Sequence, residues 1–463
     1  MKIIKEPSKN IVLLWRRPKP VQSDYRPMKY LLKAQIEDGL LIYNVVTSEM
    51  ILLDDDEARL FGKPSMAYTD KMDELIARHY LVTDTFDESK SVRQLRALIK
   101  KLEPAKRVTG FTILPTTECN ARCYYCFESN YKRYTMTDKM VVDVVDYIEE
   151  KCKGKSIDIS WFGGEPLVAH KQISKICAGL NRKKIEYSST MVSNAYLFDR
   201  ELIKIAKNDW KLKSVQITLD GTEKVYNEAK SYVNSQDNPF KRVLQNIEML
   251  LDNGIAVNVR LNVTEKNLMD LSDLIELLSS RFSDKRGFTC YAHAVYEKVG
   301  YSPLEYDDSV RNAVDAQTVA LDEKLMKMGL LGSYALLPSL RFMNCMSDND
   351  ACRLIYPDGH IGKCENRSSS ENIGDIYQDI TDEDMNKQYE ESSYIQECED
   401  CCLYPTCINL KICPETGKCT KLKLSWKAER YTILMKDRYI EYQNESRAIK
   451  DETVNKTVVE CDS

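Results

Sequence analysis

Between about residues 108 and 305 the chain alternates short apolar, β-branched runs with longer amphipathic stretches. "GFTILPT", "SIDISWFGG", "YSSTMVSN", "LKSVQITLDG", "IAVNVRLNVT" and "GFTCYAHAV" read as six strands. "TDKMVVDVVDYIEEKC", "HKQISKICAGLNRK", "DRELIKIAKN", "NPFKRVLQNIEMLLDNG" and "LMDLSDLIELLSSRF" read as the helices between them. This alternation constrains the fold more than any other feature. Strands joined by helices lie parallel with the helices outside, and right-handed crossovers curl such a sheet toward a barrel. The pattern predicts an α/β fold centred on a partial (β/α)6 TIM-like barrel over residues 106–305. In such folds ligands bind at the carboxyl ends of the strands.

Residues 1–105 read as a separate module. "GLLIYNVVTSEMILL" is two apolar runs parted by "TSE", a hairpin signal. "DDDEARLFGK" opens a short helix with an acidic first turn, and "MDELIARHYLV" is an amphipathic helix running into a strand. Together they predict a winged-helix-like module, tied on by the charged helix "DESKSVRQLRALIKKLEPAKR". Residues 306–425 begin helical and become cysteine-dense. Residues 426–463 continue the amphipathic helix "KLKLSWKAERYTILMKDRYIEY" into a polar tail expected to fray.

The cysteines carry the chemistry. "CNARCYYC" places Cys119, Cys123 and Cys126 within eight residues, just after the first strand of the series. Structural zinc and ordinary iron–sulfur sites take four ligands. Three thiolates on a four-iron cube leave one iron open to a small chelating molecule. The chain has 16 cysteines, clustered, and only four histidines, His79, His170, His293 and His360, none in zinc-finger spacing. No export signal precedes them and no apolar run approaches the ~20 residues that cross a bilayer. Clustered cysteines in a cytoplasmic chain favour metal over disulfides. A net charge of −5 gives no reason to expect a nucleic-acid partner.

In these residues the sequence resembles the radical S-adenosylmethionine enzymes, whose hallmark is CxxxCxxC with an aromatic before the last cysteine, here Tyr125. The resemblance implies a [4Fe–4S] cluster on Cys119, Cys123 and Cys126. S-adenosylmethionine chelates its open iron, and reductive cleavage gives a 5′-deoxyadenosyl radical that abstracts hydrogen from a substrate. "WFGGEP" after the second strand matches the family's GGE motif, so Gly163, Gly164 and Glu165 are expected at the ligand. "VSN" ends the third strand with Ser193 and Asn194, where Ala195 replaces a customary glycine. "VQITLDG" places Gln216, Thr218 and Asp220 toward the ribose or methionine part. Lys230 stands where the family has an arginine near the methionine carboxylate, keeping the charge but not the bidentate fork. "VRLNVT" gives Arg260 and Asn262 on the fifth strand, and Arg260 completes the expected cofactor contacts. No catalytic acid or base is singled out.

The distal cysteines resemble the SPASM extension of the same family. Cys398 and Cys401 alone also fit a zinc ribbon. Cys345–x13–Gly359–x4–Cys364 and Cys398–x2–Cys401–x5–Cys407 follow the SPASM pattern, whereas Cys407–x5–Cys413 departs from its usual C-x3-C. The resemblance implies two auxiliary [4Fe–4S] clusters, three clusters in all. Cys345, Cys352, Cys364 and Cys413 would hold one, and Cys398, Cys401, Cys407 and Cys419 the other, with Cys402 and Cys461 as substitutes. Ligation would supply folding energy to a segment with little apolar core. Cys152, Cys177 and Cys290 are expected to be unligated, the first two packing on helices.

SPASM enzymes of this kind mostly modify peptides. The long amino-terminal module resembles a leader-recognition element, which would bind by strand addition to a β-edge. The implied function is maturation of a ribosomally made precursor peptide by thioether or carbon–carbon crosslinking, of the sactipeptide or ranthipeptide type. The implied partners are that precursor peptide and an electron donor such as a flavodoxin or ferredoxin. A sulfatase-type maturase, a peptide epimerase, and a non-catalytic iron–sulfur or zinc binding protein are the alternatives.

Overall fold

The computed structural model of the chain describes every residue except 103–106, 236, 296–297, 300–301, 304–307, 333–335, 342–344, 392–397, 408–420 and 462–463. The amino-terminal part holds β1 (Lys2–Lys5), α1 (Lys9–Leu14), β2 (Asp24–Pro27), β3 (Leu31–Ile36), β4 (Gly39–Asn44), β5 (Glu49–Leu53), α2 (Asp55–Ala58), β6 (Met66–Ala67), α3 (Asp73–Ala77), β7 (Leu81–Thr83) and α4 (Glu88–Leu102). Two small antiparallel sheets result, ordered β1-β5-β4-β3 and β6-β2-β7. Across residues 1–105, expected to make a winged-helix-like module, these sheets stand beside α1, α2 and α3, only six, four and five residues long, and the 15-residue α4. The expected hairpin is β4–β5, but Val45–Ser48 turn it rather than "TSE". Both of its strands are interior, so the sheet's edges belong to β1 and β3. Asp54 caps α2, accepting from the backbone of Asp56 and Glu57, while Glu57 reaches back to Asp54.

The barrel segment holds β8 (Gly110–Ile113), α5 (Asp138–Cys152), β9 (Ile157–Trp161), α6 (His170–Arg182), β10 (Tyr187–Ser193), α7 (Arg200–Asn208), β11 (Leu212–Leu219), α8 (Glu223–Lys230), α9 (Pro239–Asp252), β12 (Ala256–Val263), α10 (Leu271–Phe282) and β13 (Phe288–Ala294). All six strands are present, parallel and in sequential order. Thr137, Asp199 and Asn238 cap α5, α7 and α9 through their side-chain oxygens. Side chains alternate along a strand. On β11 and β12 that alternation sends Val215, Ile217, Leu219, Val257, Val259 and Leu261, all fully buried, toward the helices. Gln216, Thr218, Asn258, Arg260 and Asn262 therefore share the other, concave face. Cys152, Cys177 and Cys290 are buried in the same apolar core, as packing residues should be.

The last part holds β14 (Lys298–Val299), β15 (Ser302–Pro303), α11 (Asp308–Lys327), β16 (Cys352–Ile355), β17 (His360–Gly362), β18 (Gly374–Asp375), β19 (Asp379–Ile380), α12 (Glu383–Glu391) and α13 (Lys421–Cys461). A domain boundary at 305 cuts across the sheet. β16 pairs parallel to β8, Cys352 opposite Gly110, and β17, β18 and β19 follow antiparallel. One mostly parallel sheet of ten strands runs β13-β12-β11-β10-β9-β8-β16-β17-β18-β19. α13 continues as helix to Cys461 where a frayed tail was expected; no glycine or proline interrupts residues 421–461. It lies along β3 at the edge of the amino-terminal sheet.

Candidate active site

Leu114 and Pro115 follow strand β8, and the chain then turns through Thr116–Glu128 over the carboxyl ends of the neighbouring strands. The turn is held from two sides. The Thr117 N–H donates to the Tyr134 carbonyl at 3.0 Å and the Thr117 hydroxyl to the Lys132 carbonyl at 2.7 Å. From β9, the Glu165 N–H donates to the Glu118 carbonyl at 2.8 Å. A Cβ on Gly164 would lie 2.3 Å from the Glu118 carbonyl oxygen. One on Gly163, whose φ is +115°, would lie 2.3 Å from that of Thr116. The two glycines were expected to let backbone approach a ligand. They let it approach the segment that carries Cys119.

Glu165 is 1% exposed. Its carboxylate accepts from the Leu167 N–H at 3.1 Å, the Ser193 hydroxyl at 2.7 Å and the Asn194 N–H at 2.7 Å. It thereby locks the end of β9 to the end of β10. Burial pushes its pKa up, against those three donors. Asn194 donates in turn from Nδ2 to Asn120 Oδ1 at 2.7 Å, so "VSN" reaches the cysteine loop directly. Ala195, where the family motif has glycine, adopts φ +61°, the left-handed conformation glycine takes most easily.

Tyr125, Asp220, Lys230 and Thr218 converge in one buried network. The Lys230 ammonium lies 3.1 Å from Asp220 Oδ2 and donates to Thr218 Oγ1 at 2.6 Å and Tyr125 Oη at 3.0 Å. Asn262 Nδ2 donates to Asp220 Oδ1 at 3.0 Å and to Tyr125 Oη at 3.1 Å. The charge of Lys230, the residue expected at a ligand carboxylate, lies against Asp220. Its backbone carbonyl also accepts from the Arg122 N–H at 2.9 Å, inside the cysteine loop. Gln216 accepts from the Tyr291 hydroxyl at 3.0 Å.

The three thiols are half-buried, and Cys123 and Cys126 both lie within electrostatic range of Cys119. Burial pushes Cys119 up to about 12 and Cys126 up to about 11, and raises Cys123 against the pull of Lys230. Thiols in such surroundings become thiolates when a cation supplies the compensating charge. Among the described residues no group of three His, Cys, Asp or Glu side chains is already gathered around one ion position. Several buried polar atoms nearby lack any partner: Asn120 Nδ2, Glu128 Oε1, Arg260 Nε and Asn262 Oδ1. Buried polar groups are seldom left unpaired. Thiol donors beside a concave face of orphaned donors and acceptors fit an iron–sulfur cluster with a polar, zwitterionic ligand. Asn120 was not among the expected contacts, although it lies inside "CNARCYYC"; Asn262 shares the concave face with Arg260, two residues away on β12.

Among the distal cysteines, Cys352 opens β16, and Cys345, which is exposed, lies within its electrostatic range. Cys364 is half-buried, as are Cys398, Cys401, Cys402 and Cys407. Cys398, Cys401 and Cys402 pack against the amino-terminal core. Cys413 and Cys419 lie outside the described residues, and Cys461 falls where side chains are not described.

Residues 113–278 match the Radical SAM superfamily. The chain is 22% identical over 329 residues to the radical SAM cyclopropyl synthase TigE of Paramaledivibacter caminithermalis, covering 66% of this chain and 63% of that relative. It is 23% identical over 291 residues to a GTP 3′,8-cyclase of Clostridium perfringens, covering 60% of this chain and 87% of that one. The solved structure of native anSMEcpe with bound AdoMet and Cp18Cys peptide superposes with a TM-score of 0.50 at 16% identity, covering 73% of this chain and 99% of that one. That likeness is one of fold.

Proposed function

From a chain that carries a radical S-adenosylmethionine domain, we propose an enzyme that modifies a ribosomally made precursor peptide by thioether or carbon–carbon crosslinking. The carrying observation is the cysteine loop at the carboxyl end of β8, with the polar atoms Asn120 Nδ2 on the loop and Arg260 Nε and Asn262 Oδ1 on the concave face left without a hydrogen-bond partner. A domain of this superfamily implies a [4Fe–4S] cluster that binds S-adenosylmethionine and, when reduced, supplies an adenosyl radical able to abstract hydrogen.

In this reading Cys119, Cys123 and Cys126 would hold the cluster. Tyr125, pinned by Lys230 and Asn262, sets the path of the loop between Cys123 and Cys126. Gly163, Gly164 and Glu165, with Ser193 and Asn194, wall the site and fix that loop against β9 and β10. Gln216, Thr218, Asp220 and Arg260 line the concave face, where Arg260 offers a guanidinium nitrogen to an anionic group. Buried walls keep water from a reactive substrate radical.

The amino-terminal sheets supply the surface for a leader segment, with a backbone edge at β1. The distal cysteines would ligate two auxiliary clusters that accept the electron left after bond formation or bind the substrate. A flavodoxin or ferredoxin would reduce the first cluster. Among the described residues no helix is long and apolar enough to cross a membrane, and a cytoplasmic location goes with clustered, metal-binding cysteines.

Anaerobic reconstitution tests the reading. About twelve irons per chain, four to each of three clusters, and dithionite-dependent 5′-deoxyadenosine are expected. The triple change C119A/C123A/C126A should abolish 5′-deoxyadenosine and leave about eight irons. Zinc without iron, or cleavage that survives the triple change, rejects it.

A further inference from the structure

The amino-terminal part and the distal cysteine segment share one apolar core. Leu340, Leu403 and Tyr404 are buried with Tyr30, Tyr43 and Val92, and Cys398, Cys401 and Cys402 pack against them. Polar contacts run through the same seam. The Tyr30 hydroxyl donates to the Glu399 carbonyl at 3.1 Å, Arg93 pairs with the Glu399 carboxylate at 2.7 Å, and Lys29 pairs with Asp400 at 2.5 Å.

At the centre lies Arg96 of α4, 6% exposed. Its Nε donates to the Arg341 carbonyl at 2.8 Å and its Nη2 to the Pro405 carbonyl at 3.0 Å and the Tyr404 carbonyl at 3.4 Å. The guanidinium also sits 5.3 Å from the centre of the Tyr404 ring. Arg341 donates its own N–H to the Pro405 carbonyl at 3.0 Å. One buried side chain thus fastens the segment before Cys345 to the segment between Cys401 and Cys407. All three hydrogen-bond acceptors are neutral carbonyls. Among the described residues no carboxylate ion-pairs with Arg96. A buried charge without a counter-charge is costly. The groups within electrostatic range are the Asp348 carboxylate and the Cys407 side chain, with the Tyr404 and Tyr30 phenols beside them.

We propose that Arg96 is a positioning residue of the distal cysteine site, fixing the Cys398–Cys407 loop and supplying the positive charge that a thiolate-bound metal group there requires. The inference rests on reading those cysteines as metal ligands. A thiolate-ligated iron–sulfur group is anionic, and it completes a charge pair that the polypeptide leaves open. The arginine's planar fork matters as well as its charge, because it spans carbonyls of two chain segments.

The test uses the full chain in the C119A/C123A/C126A background, reconstituted anaerobically, so that all iron read is distal. Iron release to a chelator and the electron paramagnetic resonance-monitored midpoint potential are measured for Arg96, R96K and R96Q, with thermal melting of each metal-free chain as the control for folding. In R96Q, iron release should quicken about tenfold or more and the potential should fall, because an anionic cluster loses its cation. R96K should hold the potential near that of Arg96 yet still release iron faster. Unchanged release and potential in a fully loaded R96Q chain overturn this inference alone. If R96Q does not fold, wild-type release from R96K overturns it. A background chain that binds no iron overturns the ligand reading and this inference with it.

Discussion

Lys230 and Asp220 form an ion pair with 3% and 1% of their side chains exposed. Such a pair is weak evidence of net stabilisation, but breaking it from one side strands a buried charge. K230M should therefore cost about 3–5 kcal/mol in urea unfolding, and the double change D220N/K230M should recover most of that loss. A double-mutant cycle checks it. His79 gives a pH prediction. Its ring stacks on Trp15 at 3.9 Å, its Nε2 faces the Arg16 carbonyl at 3.1 Å, and burial depresses its pKa from 6.5 to about 4. A depressed histidine favours the folded state while neutral. Its contribution is whole above pH 6.5 and is lost as pH falls toward 4, up to roughly 3 kcal/mol. H79N tolerates the left-handed φ of +59° at this position. It should flatten the stability profile between pH 6.5 and 4, measured by chemical denaturation at each pH. A profile as steep as that of the parent chain would remove His79 as the cause. The three clustered cysteines were legible because their spacing is local. That Lys230 faces Asp220 and Tyr125 was not, because those partners are 10 and 105 positions away.

At the scale of elements, the alternation of short apolar, β-branched runs with amphipathic stretches identified all six parallel strands and five of the six helices between them, missing the eight-residue α8. What escaped was pairing. "CRLI" and "HIG" are too short to carry a periodic signal, and β16 joins β8 across more than two hundred residues of chain. The contact is close: a Cβ on Gly110 would lie 2.8 Å from Cys352 Sγ. The turn after β9 makes a sharper prediction. In G164A the new methyl would meet the Glu118 carbonyl, which is backbone and cannot swing aside. Overpacking of this kind costs about 1–3 kcal/mol, and here the displaced segment leads into Cys119. The variant should melt lower and, after reconstitution, lose iron at the first site before it loses distal iron. A G164A chain with normal iron occupancy there would show that the loop finds another path.

For the whole molecule, the amino-terminal part is less a tethered appendage than one side of a core. Its buried residues pack with Leu403 and Tyr404, and with Tyr431, Met435 and Tyr439 of α13, while the Tyr439 hydroxyl donates to Asp38 at 2.7 Å. Deleting residues 1–102 should expose that apolar face, and α13 and the Cys398–Cys407 loop should become sensitive to proteolysis in the metal-free chain. Resistance equal to that of the full chain would mean the two parts fold independently. Residues 88–102 read as a charged linker because most of their side chains are polar. Yet Val92, Leu95 and Arg96 are buried in the seam. The sequence by itself determined the parallel α/β sheet, the side of it on which the cysteine loop lies, and the clustering of three thiols in that loop. All three follow from patterns within a few residues of one another. Only the tertiary structure decided which charges pair, which strands form the edges of the amino-terminal sheet, and that Cys398, Cys401 and Cys402 rest on the first hundred residues. Those depend on burial and on contacts between distant segments, where desolvation selects partners that spacing along the chain does not encode.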